Sequence, residues 1–122
     1  GGVGEREPQQ APGQGAAQEL SPEERARALV QQASIDLRWG RLESAEATYS
    51  RALDLSPGKV GAWAGRGSAR LRRGDPAGAL GDLNRALELD PKLLYVLSHR
   101  AETKTQLGDL DGAISDYNQY LS

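Results

Sequence analysis

The feature of this sequence that most constrains its fold is a spacing of 34 residues that recurs along most of the chain. The residues related by this spacing are Gly40, Gly74 and Gly108, Ala45, Ala79 and Ala113, and Leu53, Leu87 and Leu121. A glycine directly after a helix supplies the left-handed conformation that ends the helix. Repetition of this signal at a fixed period indicates stacked copies of one supersecondary unit.

Motifs that contain proline divide each period further. They are Ser21-Pro22, Ser56-Pro57 and Asp90-Pro91, the last two again 34 residues apart. Because serine or aspartate caps a helix and proline suits its first position, we expect each motif to begin a helix. Glu24 adds the second half of a capping box at Ser21. We therefore predict helices at about 22–38, 42–55, 58–73, 76–89, 92–107 and 110–121.

Residues at helical spacing in the second period match a known repeat motif. They are Ala62, Trp63, Gly67, Gly74, Asp75, Ala79, Ala86, Leu87, Leu89, Asp90 and Pro91. This set resembles the tetratricopeptide repeat. The resemblance extends over three units, at about 26–57, 60–91 and 94–122. The first and third units lack the tryptophan and have Ala33 and Ala101 in place of Gly67. The resemblance implies an all-α fold, a right-handed superhelix of antiparallel helix-turn-helix repeats, whose concave groove is lined by the first helix of each unit.

Residues 1–20 differ in character from the rest of the chain. They are rich in Gly, Pro and Gln and contain only Val3 and Leu20 as sizeable apolar side chains. This is too little apolar surface to offset the entropy of ordering. We therefore predict a disordered tail or linker over 1–20 and a repeat domain over 21–122. The sequence begins at Gly1 without a methionine, so we interpret it as a piece cut from a longer chain.

Composition argues against several classes of function. The formal net charge is -2, and acidic and basic side chains balance beyond residue 20, so we do not expect a nucleic-acid partner. No apolar run approaches the length of a membrane span. The chain has no cysteine and a single histidine, His99, and we predict no metal site, no cofactor and no catalytic activity. Because the chain has no cysteines, the sequence does not indicate a redox compartment, and we interpret the chain as an intracellular soluble protein.

The repeat positions that face the implied groove define a candidate binding site. They are Arg27, Val30, Ser34, Leu37, Arg38, Ala64, Ser68, Leu71, Arg72, Tyr95, Ser98, His99 and Glu102. We predict that the groove accepts an extended or helical segment of another protein, which makes the chain an interaction scaffold. The apolar side of that segment would rest on the aliphatic and aromatic members of the set. Its acidic residues would approach Arg38 and Arg72.

One functional subclass of the family that the chain resembles is disfavoured by the residues themselves. Co-chaperones of that family hold the acidic carboxyl-terminal tails of heat-shock chaperones with a clamp of lysine, asparagine, asparagine, lysine and arginine. The equivalent positions here are Val30, Ser34, Gly65, Tyr95 and His99. Because a carboxylate needs converging cationic donors, we do not expect a clamp of this kind.

The third unit stops at Ser122 inside its second helix, without the polar helix that usually covers the last hairpin of such arrays. We expect an end face with four partly open apolar side chains, Ile114, Tyr117, Tyr120 and Leu121. Either the chain continues in a longer protein, or this face packs against another copy or another chain. The alternative function is therefore self-assembly or docking through the end face, including a homodimer through the C-terminal repeat.

Two arginine–aspartate pairs share one spacing. Arg66 and Asp82 are 16 residues apart, as are Arg100 and Asp116, whereas the first unit lacks both charges together. A paired change within one chain favours direct contact. We therefore predict a structural ion pair that joins the two helices of the second unit, and another in the third.

Overall fold

The structure of the protein, a computed structural model, describes residues 19–122. Its helices are α1 (Pro22–Arg38), α2 (Leu42–Leu55), α3 (Val60–Arg73), α4 (Pro76–Leu89), α5 (Leu94–Gln106) and α6 (Leu110–Leu121). No strand occurs among these residues, and consecutive helices pack as antiparallel pairs, α1 with α2, α3 with α4 and α5 with α6. The predicted all-α fold is confirmed. The tail predicted over 1–20 lies outside the described residues except for its last two positions.

The recurrent glycines end the first helix of each pair, as predicted. Gly40, Gly74 and Gly108 have φ angles of 79°, 93° and 85°, and no other described residue has a positive φ. In each case the next residue donates its N–H back to a helix carbonyl at 2.8 Å, as Asp75 does to Arg70. These bonds satisfy carbonyls that the helix end leaves unpaired and turn the chain back toward the second helix.

The predicted capping box at the start of α1 is present. The hydroxyl of Ser21 accepts from the N–H of Glu24 at 3.1 Å, and the Glu24 carboxylate accepts from the N–H of Ser21 at 2.8 Å. Side chains also cap α4 and α6, where Asp75 and Asp109 each accept from the N–H three positions later. The glycine that ends one helix is therefore followed directly by the cap of the next.

The prediction that Ser56-Pro57 and Asp90-Pro91 begin helices is wrong. Ser56 and Asp90 instead end α2 and α4, because each donates its N–H to a carbonyl four residues earlier at 2.9 Å. The prolines lie in the turns that follow, and no side-chain cap precedes α3 or α5. These two helices consequently start two residues later than predicted, at Val60 and Leu94.

The core between the helices is built mainly from small side chains. The fully buried alanines are Ala26, Ala33, Ala45, Ala52, Ala62, Ala69, Ala79, Ala86 and Ala101. Small residues allow the helices to approach closely, and Gly67 shows how closely. A Cβ added there would lie 2.8 Å from Cδ2 of the fully buried Leu83, so the α3–α4 pair leaves no room for a side chain.

The stack is curved with the first helices on its inner side. Among the described residues α1 contacts α3, and α3 contacts α5, whereas α2, α4 and α6 make no comparable contact with one another. Elements on the inside of a curve lie closer together than those on the outside. The concave face is therefore formed by α1, α3 and α5.

Candidate functional site

The concave face carries a recess of about 320 Å³ formed by all three first helices. Its lining residues are Leu37 of α1, Ser68, Leu71 and Arg72 of α3, and His99 and Glu102 of α5. All six belong to the predicted groove set, so the structure brings these members together. The other predicted positions do not line the recess; they are Arg27, Val30, Ser34, Arg38, Ala64, Tyr95 and Ser98.

The prediction that Ala64 lies in the groove is wrong, because its side chain is inaccessible. Ala64 is only 2% exposed and packs in a core cluster with Leu83 and Val96. It therefore lies on the side of α3 that faces α4 and α5. Leu71 is also nearly buried, but it forms part of the recess wall. The remaining predicted positions have exposed or half-buried side chains.

Contacts within and between helices hold the polar side chains of the concave face in place. The Oγ of Ser68 on α3 lies 3.2 Å from Nδ1 of His99 on α5. The ring of Tyr95 meets the imidazole of His99 edge-on, with the two centroids 5.9 Å apart. From α3, Nη1 of Arg72 donates to the backbone carbonyl of Leu37 on α1 at 2.9 Å. A guanidinium, an imidazole and a phenol are thus positioned before any ligand arrives.

A second-helix residue, Tyr49, fills the space between α1 and α3 beneath this face. Its hydroxyl lies 3.0 Å from Oγ of Ser34. Its ring covers Gly65, where a Cβ would come within 2.6 Å of the phenolic oxygen. Burial raises the pKa of Tyr49 despite the opposing hydrogen bond with Ser34, and burial also raises the pKa of Tyr95. The role of Tyr49 was not predicted from the sequence. Gly65 alone indicated that another side chain comes close to α3 at that position.

The predicted ion pair of the second unit is confirmed and reaches further than predicted. Arg66 donates from Nε and Nη2 to the carboxylate of Asp82 at 3.0 and 2.8 Å, which joins α3 to α4. Its Nη1 also donates to Oγ of Ser50 on α2 at 2.9 Å. One guanidinium therefore links three helices, two of its own hairpin and one of the hairpin before.

The third unit repeats this arrangement. Arg100 donates to Asp116 at 2.8 and 2.7 Å and to Oδ1 of Asn84 on α4 at 3.0 Å. Lys104 lies 3.2 Å from the same carboxylate. Burial raises the pKa of Asp116, but the hydrogen bonds from Arg100 and Lys104 outweigh it, and the pKa is lowered overall. These residues are structural and lie outside the recess lining.

The arginine cluster of α3 is largely occupied by carboxylates of its own chain. Arg70 pairs with Glu46 at 2.8 Å and with Asp82 at 3.0 Å, and Arg73 pairs with Glu46 at 2.9 Å. Of the arginines on this helix, Arg72 is the one that lines the recess. The cluster therefore does not form a basic stripe for a phosphate backbone.

Two further features bear on the class of site. No group of three or more potential metal-ligating side chains is found in the described part of the chain. No helix within residues 19–122 has both the length and the apolar character needed to cross a bilayer.

Comparison with known proteins assigns the family. The profile of the tetratricopeptide repeat matches residues 30–93, just over half of the chain. The chain belongs to the tetratricopeptide repeat family. Such domains are protein–protein interaction modules without a catalytic role of their own. No curated protein sequence matches this tetratricopeptide chain.

Solved tetratricopeptide domains share the fold of this one. The first domain of Spaghetti (RPAP3), bound to the HSP90 peptide SRMEEVD, is 25% identical with a TM-score of 0.79, over 81% of this chain and 79% of that chain. The first domain of human RPAP3 is 26% identical with a TM-score of 0.78, over 83% and 79%. The Arabidopsis OM64 domain, at 18% identity and a TM-score of 0.80 over 83% and 84%, is similar in fold.

Proposed function

We propose that this tetratricopeptide domain is a scaffold that binds a peptide segment of a partner protein along its concave face, centred on the recess. The observation that supports this most directly is the recess itself, which takes residues from α1, α3 and α5 and sets apolar walls beside a guanidinium. Sites that hold ligand side chains combine apolar walls with a few oriented polar groups in this way. The similar domain of Spaghetti is bound to a peptide, which supports the same class of ligand.

The charges of the concave face favour a partner segment with an acidic residue on one side. Arg72 is fixed against α1, and Arg27 and Arg38 are exposed on that helix. Glu102 lies on the opposite side of the recess, on α5. Because like charges across an interface cost affinity, the acidic residue of the segment lies toward α1, and a hydrogen-bond donor suits the α5 side.

Selection from a peptide library tests this proposal without a known partner. Peptides selected on the domain are expected to combine an apolar residue with an aspartate or glutamate. Arg72→Glu, which reverses the charge at the recess, should lower the affinity for the selected peptides by about tenfold or more. Arg85→Glu is the matched control, because Arg85 is exposed on α4 outside the concave face. Equal affinities for Arg72→Glu and the control would refute the groove site.

We further propose that the concave face does not act as a clamp for an acidic carboxyl terminus. The five positions of such a clamp carry no lysine or arginine in this chain. The ring of Tyr49 also occupies the space over Gly65, where the clamp has an asparagine. A carboxylate at this place would therefore lack the converging cations it needs.

Fluorescence anisotropy with a labelled SRMEEVD peptide tests the absence of the clamp. The unmodified domain should give no saturable binding. The triple variant Val30→Lys, Tyr95→Lys, His99→Arg introduces the three cations of the clamp and leaves Tyr49 and Gly65 unchanged. It should gain affinity for the peptide, and this gain should disappear when the peptide is amidated at its carboxyl end. Saturable, amidation-sensitive binding to the unmodified domain would refute this proposal.

A second candidate function is docking or self-association through the end face. The end face consists of Ile114, Tyr117, Tyr120 and Leu121, which are 57%, 41%, 41% and 78% exposed. Exposed apolar patches of this kind mark interaction surfaces. Analytical ultracentrifugation of the wild type and of Tyr117→Glu tests it: a dimer that the substitution dissociates supports the end face, whereas a monomer at every concentration excludes a homodimer.

A further inference from the structure

Comparison of equivalent positions in the three units indicates what kind of element would fit the end face. Positions 49, 83 and 117 are equivalent, and Tyr49 is 2% and Leu83 0% exposed because α3 and α5 pack over them, whereas Tyr117 is 41% exposed. Leu121 is 78% exposed, although its two counterparts are 7% and 8% exposed. Within residues 19–122, α6 has no following first helix. The face of α6 is therefore shaped like the faces that receive a first helix.

The first helix of the stack carries the complementary surface. Ala69 on α3 and Thr103 on α5 are fully buried, whereas Ile35, the equivalent residue of α1, is 49% exposed. Trp39, directly after α1, is 71% exposed. No second helix precedes α1 in the described part of the chain. Within the stack, the second helix of one unit packs against the first helix of the next, and we call this contact a joint. Both halves of one such joint are thus exposed, one at each end of the stack.

We propose that the α6 face of one copy binds the α1 face of a second copy, head to tail, in the way that α2 binds α3 and α4 binds α5 within the molecule. This proposal rests on the second candidate function for the role of the end face, and it names the surface that the end face recognises. Because the two surfaces differ, the contact is heterologous, and repeated addition of copies builds an open chain rather than a symmetric dimer.

A pair of positions that changes together from joint to joint supports this pairing. At the α2–α3 joint the pair is Glu46 and Arg73, which form an ion pair of 2.9 Å. At the α4–α5 joint both equivalent residues are leucine. At the head-to-tail joint they are Ile114 of one copy and Trp39 of the other, both exposed and apolar. At each of the three joints, the two residues of the pair are therefore either oppositely charged or both apolar.

A second pair of positions is also matched in chemistry. At the α2–α3 joint Ser50 accepts a hydrogen bond from Arg66 at 2.9 Å. At the α4–α5 joint an asparagine accepts from an arginine at 3.0 Å. At the head-to-tail joint the equivalent residues are Asn118, whose amide oxygen accepts, and Gln32, whose amide nitrogen donates. A neutral donor therefore replaces the charged arginine in this pair.

Sedimentation velocity of the 122-residue chain over a series of concentrations tests the proposal. The weight-average sedimentation coefficient should keep rising with concentration past the value of a dimer. Ile114→Glu and Trp39→Arg should each weaken association by about tenfold or more, because each places one charge in an apolar pair. An equimolar mixture of the two variants should recover at least a dimer, because the α6 face of Trp39→Arg and the α1 face of Ile114→Glu are both unchanged. Longer chains should form as well, because every second joint then pairs the introduced glutamate with the introduced arginine, as Glu46 pairs with Arg73. Arg85→Glu, in the middle of the stack, is the control and should associate as the wild type does.

Three results would overturn the proposal. A wild type that stays monomeric removes it together with the homodimer through the end face. A dimer that Ile114→Glu dissociates and Trp39→Arg leaves intact is symmetric, so it retains the second candidate function but excludes the head-to-tail contact. Failure of the mixture to form even a dimer, with both variants folded by circular dichroism, excludes the head-to-tail contact, because each variant keeps one face of the joint unchanged.

Discussion

Removing one member of the Arg66–Asp82 pair will destabilise the domain more than removing both members. The Asp82 side chain is 4% exposed and accepts from Arg66 at 3.0 and 2.8 Å and from Arg70 at 3.0 Å. In Asp82→Thr two guanidinium groups, 17% and 24% exposed, lose this shared acceptor. Loss of one partner from a buried pair costs about 3–5 kcal/mol. Because Arg66 keeps Ser50 and Arg70 keeps Glu46, we expect the lower end, about 3 kcal/mol.

The first unit of the same chain supplies the neutral replacement for the pair. It has Gln32 and Thr48 at the positions equivalent to Arg66 and Asp82. The double variant Arg66→Gln, Asp82→Thr copies this solution and leaves only one of the two guanidinium groups near the site. Its loss of unfolding free energy should therefore be smaller than that of Asp82→Thr alone, and smaller than the sum of the two single losses by about 1–3 kcal/mol.

Urea unfolding followed by circular dichroism, on the wild type, the two single variants and the double variant, measures this coupling energy. The exposed pair Arg85 and Glu88, 2.9 Å apart with side chains 46% and 64% exposed, provides a control cycle with an expected coupling of about 0.3 kcal/mol. A coupling energy for Arg66 and Asp82 no larger than that of the control would refute the reasoning, because it would mean that the buried pair is worth no more than a solvated one.

The remaining predictions concern acid stability and two glycines. Burial raises the pKa of Asp116, but hydrogen bonds from two basic side chains lower it overall. The stability that the folded domain gains from these hydrogen bonds is therefore present above the ordinary pKa of an aspartate. It is lost as the pH falls through the lowered pKa of Asp116 in the folded state. Asp116→Asn should flatten the pH dependence of the unfolding free energy below about pH 4 in acid titrations, and an unchanged slope would contradict this. Gly65→Ala should lower the unfolding free energy by about 1–3 kcal/mol in thermal melts, because its methyl group would overlap the ring of Tyr49; a neutral effect would show that the ring moves freely. Gly81→Ala should raise the free energy of urea unfolding by about 0.5–1 kcal/mol, because it lies inside α4 with nothing within 4 Å of the added Cβ; a loss would be inconsistent with open space at this site.

The arginines of the second and third units have a consequence for cooperativity. Arg66 and Arg100 each bond within their own hairpin and to the hairpin before. Stability in a repeat array depends on each unit and on the joints between neighbours. One side chain therefore contributes to both kinds of stability, and its loss weakens a hairpin and a joint together.

Local hydrogen bonding made the helix ends readable from the sequence alone. The glycines Gly40, Gly74 and Gly108 and the capping box at Ser21 act on groups within about five positions along the chain. Their spacing therefore predicted the ends directly, and the 34-residue period predicted how many hairpins they enclose. Comparison of the units also predicted the arginine–aspartate pairs, because a paired change marks two residues that touch.

Packing between helices decided what the sequence left open. Ser56-Pro57 suits either the end of one helix or the start of the next, and the structure uses it as an end. Ala64 lies at a groove position of the repeat but faces the core, and Tyr49 reaches across to Gly65 from another helix. These outcomes depend on the rotation and separation of neighbouring helices, which all the side chains of the core set together. The sequence determined the hairpins, and their close packing determined which side chains line the concave face.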